Sequence, residues 1–195
     1  MKLLRTALLV LMATTAIAVA ALAADAPAAK PEQPTGMPPM GPPEELKQVA
    51  YLVGTWDCAM KMKAEMTSDK MSDSKGSATY AYILEGAAIT MAFDGEAMPG
   101  MKFKGYGIQT WDRENKCWQM TWTDNMSART SLYTGQHTGD QTVFQGEDQM
   151  MGMKYLSRIS SFNEKPTSFD WKMEMSMDGG KTWMVMGTAT YTKRK

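Results

Sequence analysis

The chain has 195 residues, with 21 basic and 21 acidic side chains, two cysteines and a single histidine. This balance excludes the concentrated basic field of a nucleic-acid surface. One histidine and two cysteines are fewer ligands than a zinc enzyme usually needs, and no nucleophile motif such as G-x-S-x-G occurs, so we expect no catalytic activity.

The first 24 residues have the three parts of a secretory signal peptide. Lys2 and Arg5 give a positive start, residues 7–20 are apolar or small without charge, and residues 21–23 form a small-x-small cleavage site. We therefore predict a periplasmic or secreted protein from which residues 1–24 are removed. The mature chain is then slightly acidic, with 19 basic and 21 acidic side chains, and we expect it to have no membrane span.

Residues 25–43 have the composition of a spacer. Seven of the nine prolines lie in this stretch, and large apolar residues are almost absent from it. Proline removes backbone donors and favours extended conformations. We therefore predict a disordered spacer, followed by one domain over residues 44–195 that is long enough to build a core.

Residues 44–195 begin with the pattern of a short helix and continue with that of strands. Pro43 suits a first helical turn, and Leu46, Val49 and Leu52 recur at roughly helical spacing. Beyond them, apolar and polar residues alternate, as in half-buried strands, and turn residues separate the runs. We place about ten strands, near 55–63, 77–84, 88–94, 103–111, 117–123, 129–135, 142–147, 153–161, 168–177 and 183–192. This pattern predicts an all-β antiparallel barrel, because closure removes exposed strand edges.

The sequence Gly54-Thr55-Trp56, which follows the helix and opens the first strand, resembles the G-x-W motif of lipocalins and the wider calycin group. In those proteins the tryptophan packs across the closed end of the barrel, and an arginine from the end of the barrel completes the pattern. The resemblance implies that Gly54 and Trp56 are structural. Arg194 is the C-terminal candidate for the arginine.

A longer series of motifs resembles one bacterial exported family. In order they are Leu52-Val-Gly54-Thr-Trp56, Ile83-Leu84-Glu-Gly86, Met101-Lys-Phe103-Lys-Gly105-Tyr-Gly107, Trp111-Asp112, Trp122-Thr-Asp124 and Tyr191-Thr-Lys-Arg194. Together they cover most of residues 44–195 and resemble the family catalogued as domain of unknown function 1579. The resemblance implies a calycin-like barrel and supplies no catalytic residues.

Near the C-terminus, Ser176-Met-Asp178-Gly-Gly180-Lys-Thr182-Trp183 resembles a single Asp-box, the hairpin found in sialidases and other β proteins. In this hairpin the aspartate accepts hydrogen bonds from the backbone, and the glycines adopt positive φ. The box lies far from the chemistry in those enzymes. We therefore expect Asp178, Gly180 and Trp183 to be structural.

Four tryptophans are the candidates for lining the interior of the barrel: Trp111, Trp118, Trp122 and Trp171. Small barrels either fill with side chains or hold one ligand. The favoured function is therefore binding of a small apolar or amphipathic ligand, without a cofactor. The alternative is a structural envelope protein whose barrel is filled.

Methionine is unusually frequent, with 21 residues in the chain. Most of them fit strand faces where leucine would serve equally well. Thioethers are also soft ligands that suit Cu(I), and this alternative would use Met98 and Met101 with Met150, Met151 and Met153. A third hypothesis is that exposed methionines consume oxidants, since the sulfoxide is reversible.

The two cysteines are Cys58 and Cys117. An exported protein with an even number of cysteines can form a disulfide. The alternative is that Cys58, which has apolar neighbours, is a simple buried thiol. The sequence leaves both alternatives open.

Overall fold

Ten antiparallel strands close into a barrel in the computed structural model, which describes residues 39–195. Each strand pairs with its neighbours in the sequence, and the first pairs with the last, so the sheet has no open edge. The strands are β1 (Gly54–Lys63), β2 (Met71–Ile83), β3 (Ala88–Met98), β4 (Met101–Asp112), β5 (Cys117–Asp124), β6 (Thr130–Thr138), β7 (Gln141–Met150), β8 (Met153–Lys165), β9 (Ser168–Ser176) and β10 (Met184–Lys193). The predicted all-β antiparallel barrel of about ten strands is confirmed.

The predicted signal peptide and most of the predicted spacer lie outside the described residues. The end of the spacer is described, and it contacts the barrel. Pro43 is buried, and Arg113 Nη2 donates a hydrogen bond of 2.6 Å to the carbonyl oxygen of Gly41. No helix within residues 39–195 is long and apolar enough to cross a membrane.

A 3₁₀ helix, Glu44–Leu52, covers the end of the barrel at which β1 begins. Its buried side chains, Leu46, Val49 and Leu52, belong to the same apolar core as the barrel interior. We call this the closed end, and the opposite end the open end. The sequence predicted a short helix here, and the structure gives it the tighter 3₁₀ form.

Alternation along the strands decides which side chains enter the barrel. In β1 the buried Trp56, Cys58 and Met60 alternate with the exposed Asp57 and Ala59, because successive side chains of a strand point to opposite faces. Residues that lie opposite these positions on neighbouring strands face inward as well, so the register identifies the inner face of every strand. The fully buried core extends from the closed end and comprises Leu46, Val49, Leu52, Trp56, Cys58, Met60, Ala78, Tyr80, Ile89, Phe93, Trp118, Tyr133, Phe144, Phe169, Ala189 and Tyr191.

Candidate functional site: the interior of the barrel

Trp56 is the centre of the closed end. Its side chain is fully buried, and its indole N–H donates a hydrogen bond of 2.6 Å to the carbonyl oxygen of Leu52. Phe169 and Tyr51 meet the ring edge-on, with centroids 5.0 Å and 6.4 Å away. These contacts join the 3₁₀ helix to β1 and β9, so Trp56 closes the barrel rather than lining an accessible space.

The cation beside Trp56 is Lys193, and not Arg194 as the calycin resemblance suggested. Lys193 lies directly opposite Trp56 in the β1–β10 register, so it faces inward. Its Nζ is 5.2 Å from the indole centroid and donates a hydrogen bond of 2.6 Å to the carbonyl oxygen of Tyr51. Arg194, one residue later, faces outward and pairs with the exposed Asp57 at 2.5 Å.

Seven inward-facing residues form what we call the interior belt. They pack against the buried core but are themselves only half-buried, so each keeps surface that solvent or a ligand can reach. They come from six strands and are all apolar, either methionine, isoleucine or aromatic. The members are Met62, Met91, Phe103, Met120, Trp122, Ile159 and Trp171.

Inward-facing glycines hold the aromatic rings against the barrel wall. A Cβ atom on Gly105 would lie 2.0 Å from Trp122 Cζ2, and one on Gly107 would lie 3.1 Å from Trp122 Cε3. The indole of Trp122 therefore lies flat over two glycines of the adjacent strand. Phe144 covers Gly135 in the same way, because a Cβ atom on Gly135 would lie 2.7 Å from Phe144 Cδ1. Glycine in a strand commonly marks such a close approach.

The β6–β8 side of the open end carries a polar cluster around Asp148. Ser131 Oγ and Tyr133 Oη each donate a hydrogen bond of 3.0 Å to Asp148 Oδ2. The Arg129 guanidinium pairs with the other carboxylate oxygen. Burial, and then the charge of Asp148, raise the pKa of Tyr133 above its usual value, so its hydroxyl stays a donor. The inner surface is thus apolar along the belt and polar near Asp148.

The four predicted tryptophans all face the interior, but they divide into two pairs. Trp118 is fully buried and meets the half-buried Trp111 edge-on, with centroids 5.6 Å apart, so this pair lies at the closed end. Trp122 and Trp171 belong to the interior belt. The assignment of the four tryptophans as ligand-binding stays a prediction, and full burial makes it least favourable for Trp118.

Both cysteines are free. The disulfide between Cys58 and Cys117, which the even number of cysteines would allow, is not formed in the structure. Cys58 is buried on the inner face of β1. Cys117 precedes the inward-facing Trp118, so its side chain points to the outer face of β5. Burial raises the pKa of the Cys58 thiol to about 12, so it remains a protonated, unreactive group.

The methionines proposed as metal ligands lie on two separate hairpins. Met98 and Met101 face each other across the β3–β4 turn, and Met150 and Met153 face each other across the β7–β8 turn, with the exposed Met151 at its tip. Strands β5 and β6 lie between the two hairpins, so the five side chains do not converge. Within residues 39–195, no three histidine, cysteine or acidic side chains cluster as a metal site either.

The predicted Asp-box is present as a hydrogen-bonded hairpin between β9 and β10. Asp178 Oδ1 accepts hydrogen bonds from the backbone of Lys181 and Thr182, at 3.0 Å and 2.9 Å. Asp178 Oδ2 accepts one from the Thr182 hydroxyl at 2.6 Å, and Gly180 has a φ of 91°. The Trp183 indole donates to the Gly180 carbonyl at 3.1 Å. These hydrogen bonds, of which the one from the Thr182 hydroxyl has the largest effect, lower the pKa of Asp178 to about 2.

The single histidine, His137, lies on β6, beyond the end of the strand that the sequence predicted near residues 129–135. His137 Nδ1 is 2.8 Å from Thr142 Oγ1, and the Thr142 hydroxyl donates to Glu164 Oε1 at 2.8 Å. The Ser161 hydroxyl donates to the same oxygen at 2.6 Å. The network ties the ends of β6, β7 and β8 together at the closed end, away from the interior belt.

Residues 41–193 match the family described as protein of unknown function, DUF1579. The chain belongs to the DUF1579 family. No curated protein matches it. This DUF1579 barrel is similar in fold to the crystal structure of Rv2717c from M. tuberculosis, with a TM-score of 0.58 and 12% identity over 79% of this chain and 99% of that chain.

The DUF1579 barrel is also similar to the S-type phycobiliprotein lyase CPES from Guillardia theta. The TM-score is 0.52 and the identity 10%, over 76% of this chain and 92% of the lyase. At such low identity both similarities concern the fold alone. They agree with the calycin-like architecture that the sequence motifs implied.

Proposed function

We propose that this protein is exported and binds one small apolar or amphipathic molecule inside its barrel. The observation that carries the proposal is the interior belt. Its seven apolar side chains face inward from six strands and yet remain half-buried. In a filled core such side chains would be buried against one another, as Trp56 and Trp118 are at the closed end.

The glycine–aromatic pairs support the same conclusion. Trp122 lies over Gly105 and Gly107, and Phe144 lies over Gly135, so these two rings lie against the wall. Glycine inside a strand lowers stability, because it has no side chain to pack and its backbone loses more entropy on folding. Several such pairs in one barrel are best explained if space near the axis is useful, and an apolar ligand would use it.

Polar groups beside the belt favour an amphipathic ligand over a pure hydrocarbon. Gln109 lies opposite Met120 in the β4–β5 register, on the inward face. Its amide nitrogen has no hydrogen-bond partner among residues 39–195. Unpaired buried donors are rare in proteins, and an oxygen atom of a ligand would satisfy this one. The Asp148 cluster offers a second polar contact nearer the open end.

We propose binding without catalysis. A phycobiliprotein lyase has a similar fold, so the architecture does not decide between binding and catalysis. The sequence has no nucleophile motif, and the His137 network lies at the filled closed end. The belt itself contains no titratable side chain that could transfer a proton.

Native mass spectrometry of the protein purified from the cells that produce it tests the proposal. We expect a co-purifying organic molecule of a few hundred daltons that is released when the barrel unfolds. Extraction into organic solvent and a second mass measurement would identify it. A bare protein mass, together with no binding of apolar fluorescent probes, would instead mean that the barrel is filled.

A further inference from the structure

Two buried N–H groups on the inner face of β4 and β5 lack hydrogen-bond partners. The amide nitrogen of Gln109 has no partner among residues 39–195, and neither has the indole nitrogen of Trp118. Both groups can only donate, so this part of the wall lacks an acceptor. We propose that the ligand of the barrel is an uncharged molecule whose carbonyl oxygen accepts a hydrogen bond from Gln109 Nε2. This ligand class depends on the proposed binding inside the barrel and goes one step beyond it.

The strand register places Gln109 beside the interior belt. Gln109 lies directly opposite Ile89 on β3 and Met120 on β5. Ile89 is part of the buried core and Met120 is part of the belt, so the amide is on the inner face. Trp118 is the diagonal neighbour of Gln109 across the β4–β5 pair, at a separation of roughly 7–8 Å. Because Trp118 is fully buried and Gln109 is half-buried, Gln109 is the donor that a ligand can reach.

A carbonyl oxygen fits this position better than a water molecule does. Water brings two hydrogens of its own, and a buried water typically makes about three hydrogen bonds. The residues opposite Gln109 are Ile89 and Met120, which offer only apolar and thioether groups, and the unpaired group nearby is a second donor. A water or a hydroxyl group would therefore leave its own hydrogens unpaired. A carbonyl oxygen accepts hydrogen bonds and brings no donor.

Charges nearer the open end favour a neutral ligand over an acid. Asp124 lies opposite Gly105 on the inner face, and its Oδ2 accepts a hydrogen bond of 3.1 Å from the Trp122 indole. Arg129 is already paired with Asp148, so these three charged side chains have an excess of one negative charge. A carboxylate buried beside them would have no cation of its own, which is costly. A ketone, aldehyde, ester or amide avoids this cost.

The test compares three fluorescent probes that share one ring system. Prodan carries a ketone, dimethylaminonaphthalene has a hydrogen in its place, and dimethylaminonaphthoate has a carboxylate there. Their affinities are measured by fluorescence titration of the purified protein. The variant Gln109→Met removes the amide donor and keeps a side chain of similar length. The matched control, Gln145→Met, removes the same group from an exposed position on β7.

We expect the wild type and Gln145→Met to bind Prodan about tenfold more tightly than dimethylaminonaphthalene, because only the ketone satisfies the buried donor. Gln109→Met should bind these two probes equally, and dimethylaminonaphthoate should bind most weakly to all three proteins. The ketone stretching band of bound Prodan should lie at lower wavenumber in the wild type than in Gln109→Met. Since this variant loses only an unpaired donor, its melting temperature should not fall.

Equal affinities of the wild type for Prodan and dimethylaminonaphthalene would overturn the carbonyl assignment and leave binding of an apolar ligand standing. A Gln109→Met variant that melts at lower temperature, or that loses affinity for both probes, would also overturn it, because Gln109 would then be structural. Tighter binding of dimethylaminonaphthoate than of Prodan would show that the ligand is an acid. If none of the three probes binds the wild type, the proposed function fails as well.

Discussion

Replacing Lys193 by methionine should destabilise the barrel, although Lys193 lies only two residues from the C-terminus. Its ammonium group donates a 2.6 Å hydrogen bond to the Tyr51 carbonyl and lies 5.2 Å from the Trp56 ring. A hydrogen bond to a charged group contributes about 1.5–3 kcal/mol, and a cation–π contact about 0.5–1 kcal/mol. Because the two contributions overlap, we expect a loss of about 2–3 kcal/mol in the free energy of unfolding.

The adjacent residue provides the control. Arg194 and Asp57 form an exposed ion pair, which solvent and salt screen, so Arg194→Met should leave the melting temperature almost unchanged. For a domain of this size, the loss expected for Lys193→Met corresponds to a decrease of roughly 4–12 °C. Urea denaturation and thermal melting followed by circular dichroism measure both variants. Equal effects of the two substitutions, or a larger effect for Arg194→Met, would refute the assignment of Lys193 to the closed end.

Three other predictions concern the closed end, the predicted export and the Asp-box hairpin. Trp56→Ala removes a fully buried ring and should cost about 3–5 kcal/mol of stability, which urea denaturation measures; unchanged stability with lost ligand binding would contradict the structural role. N-terminal sequencing of the exported protein should begin at Ala24 or Asp25, and an intact Met1 in a membrane fraction would be contrary to the predicted export. Because hydrogen bonds lower the pKa of Asp178 from 3.8 to about 2, its stabilisation is complete above pH 3.8 and is lost as the pH falls towards 2. Asp178→Asn should remove this dependence, and an identical pH profile for the variant would refute it.

The strand pattern was predictable where large apolar residues alternate, and was missed where they do not. The second strand was expected to begin near residue 77, but β2 begins at Met71. Its first inward positions are Ser72, Ser74 and Gly76, which give no hydrophobic period. The sequence therefore lacked the signal by which strands are recognised.

The site was predictable only in part, because it depends on register and closure. The sequence offered four tryptophans as candidates for the interior, but only the register shows which of them lie over glycines. Likewise, the choice between Lys193 and Arg194 depends on which residue lies opposite Trp56.

A small-to-large substitution inside the barrel tests the central claim most directly. Ile159 is half-buried in the interior belt, and Ile108 on β4 is 38% exposed. Ile159→Trp would occupy the space proposed for the ligand, whereas the control Ile108→Trp enlarges an exposed side chain. The measurement is the affinity of each variant for an apolar fluorescent probe, with the melting temperature recorded in parallel.

If the interior is hollow, Ile159→Trp keeps the melting temperature of the wild type and binds the probe at least tenfold more weakly, while Ile108→Trp binds like the wild type. If the interior is filled, the added ring must displace packed side chains, which costs about 1–3 kcal/mol. A destabilised Ile159→Trp, together with a wild type that does not bind the probe, would contradict the proposed function.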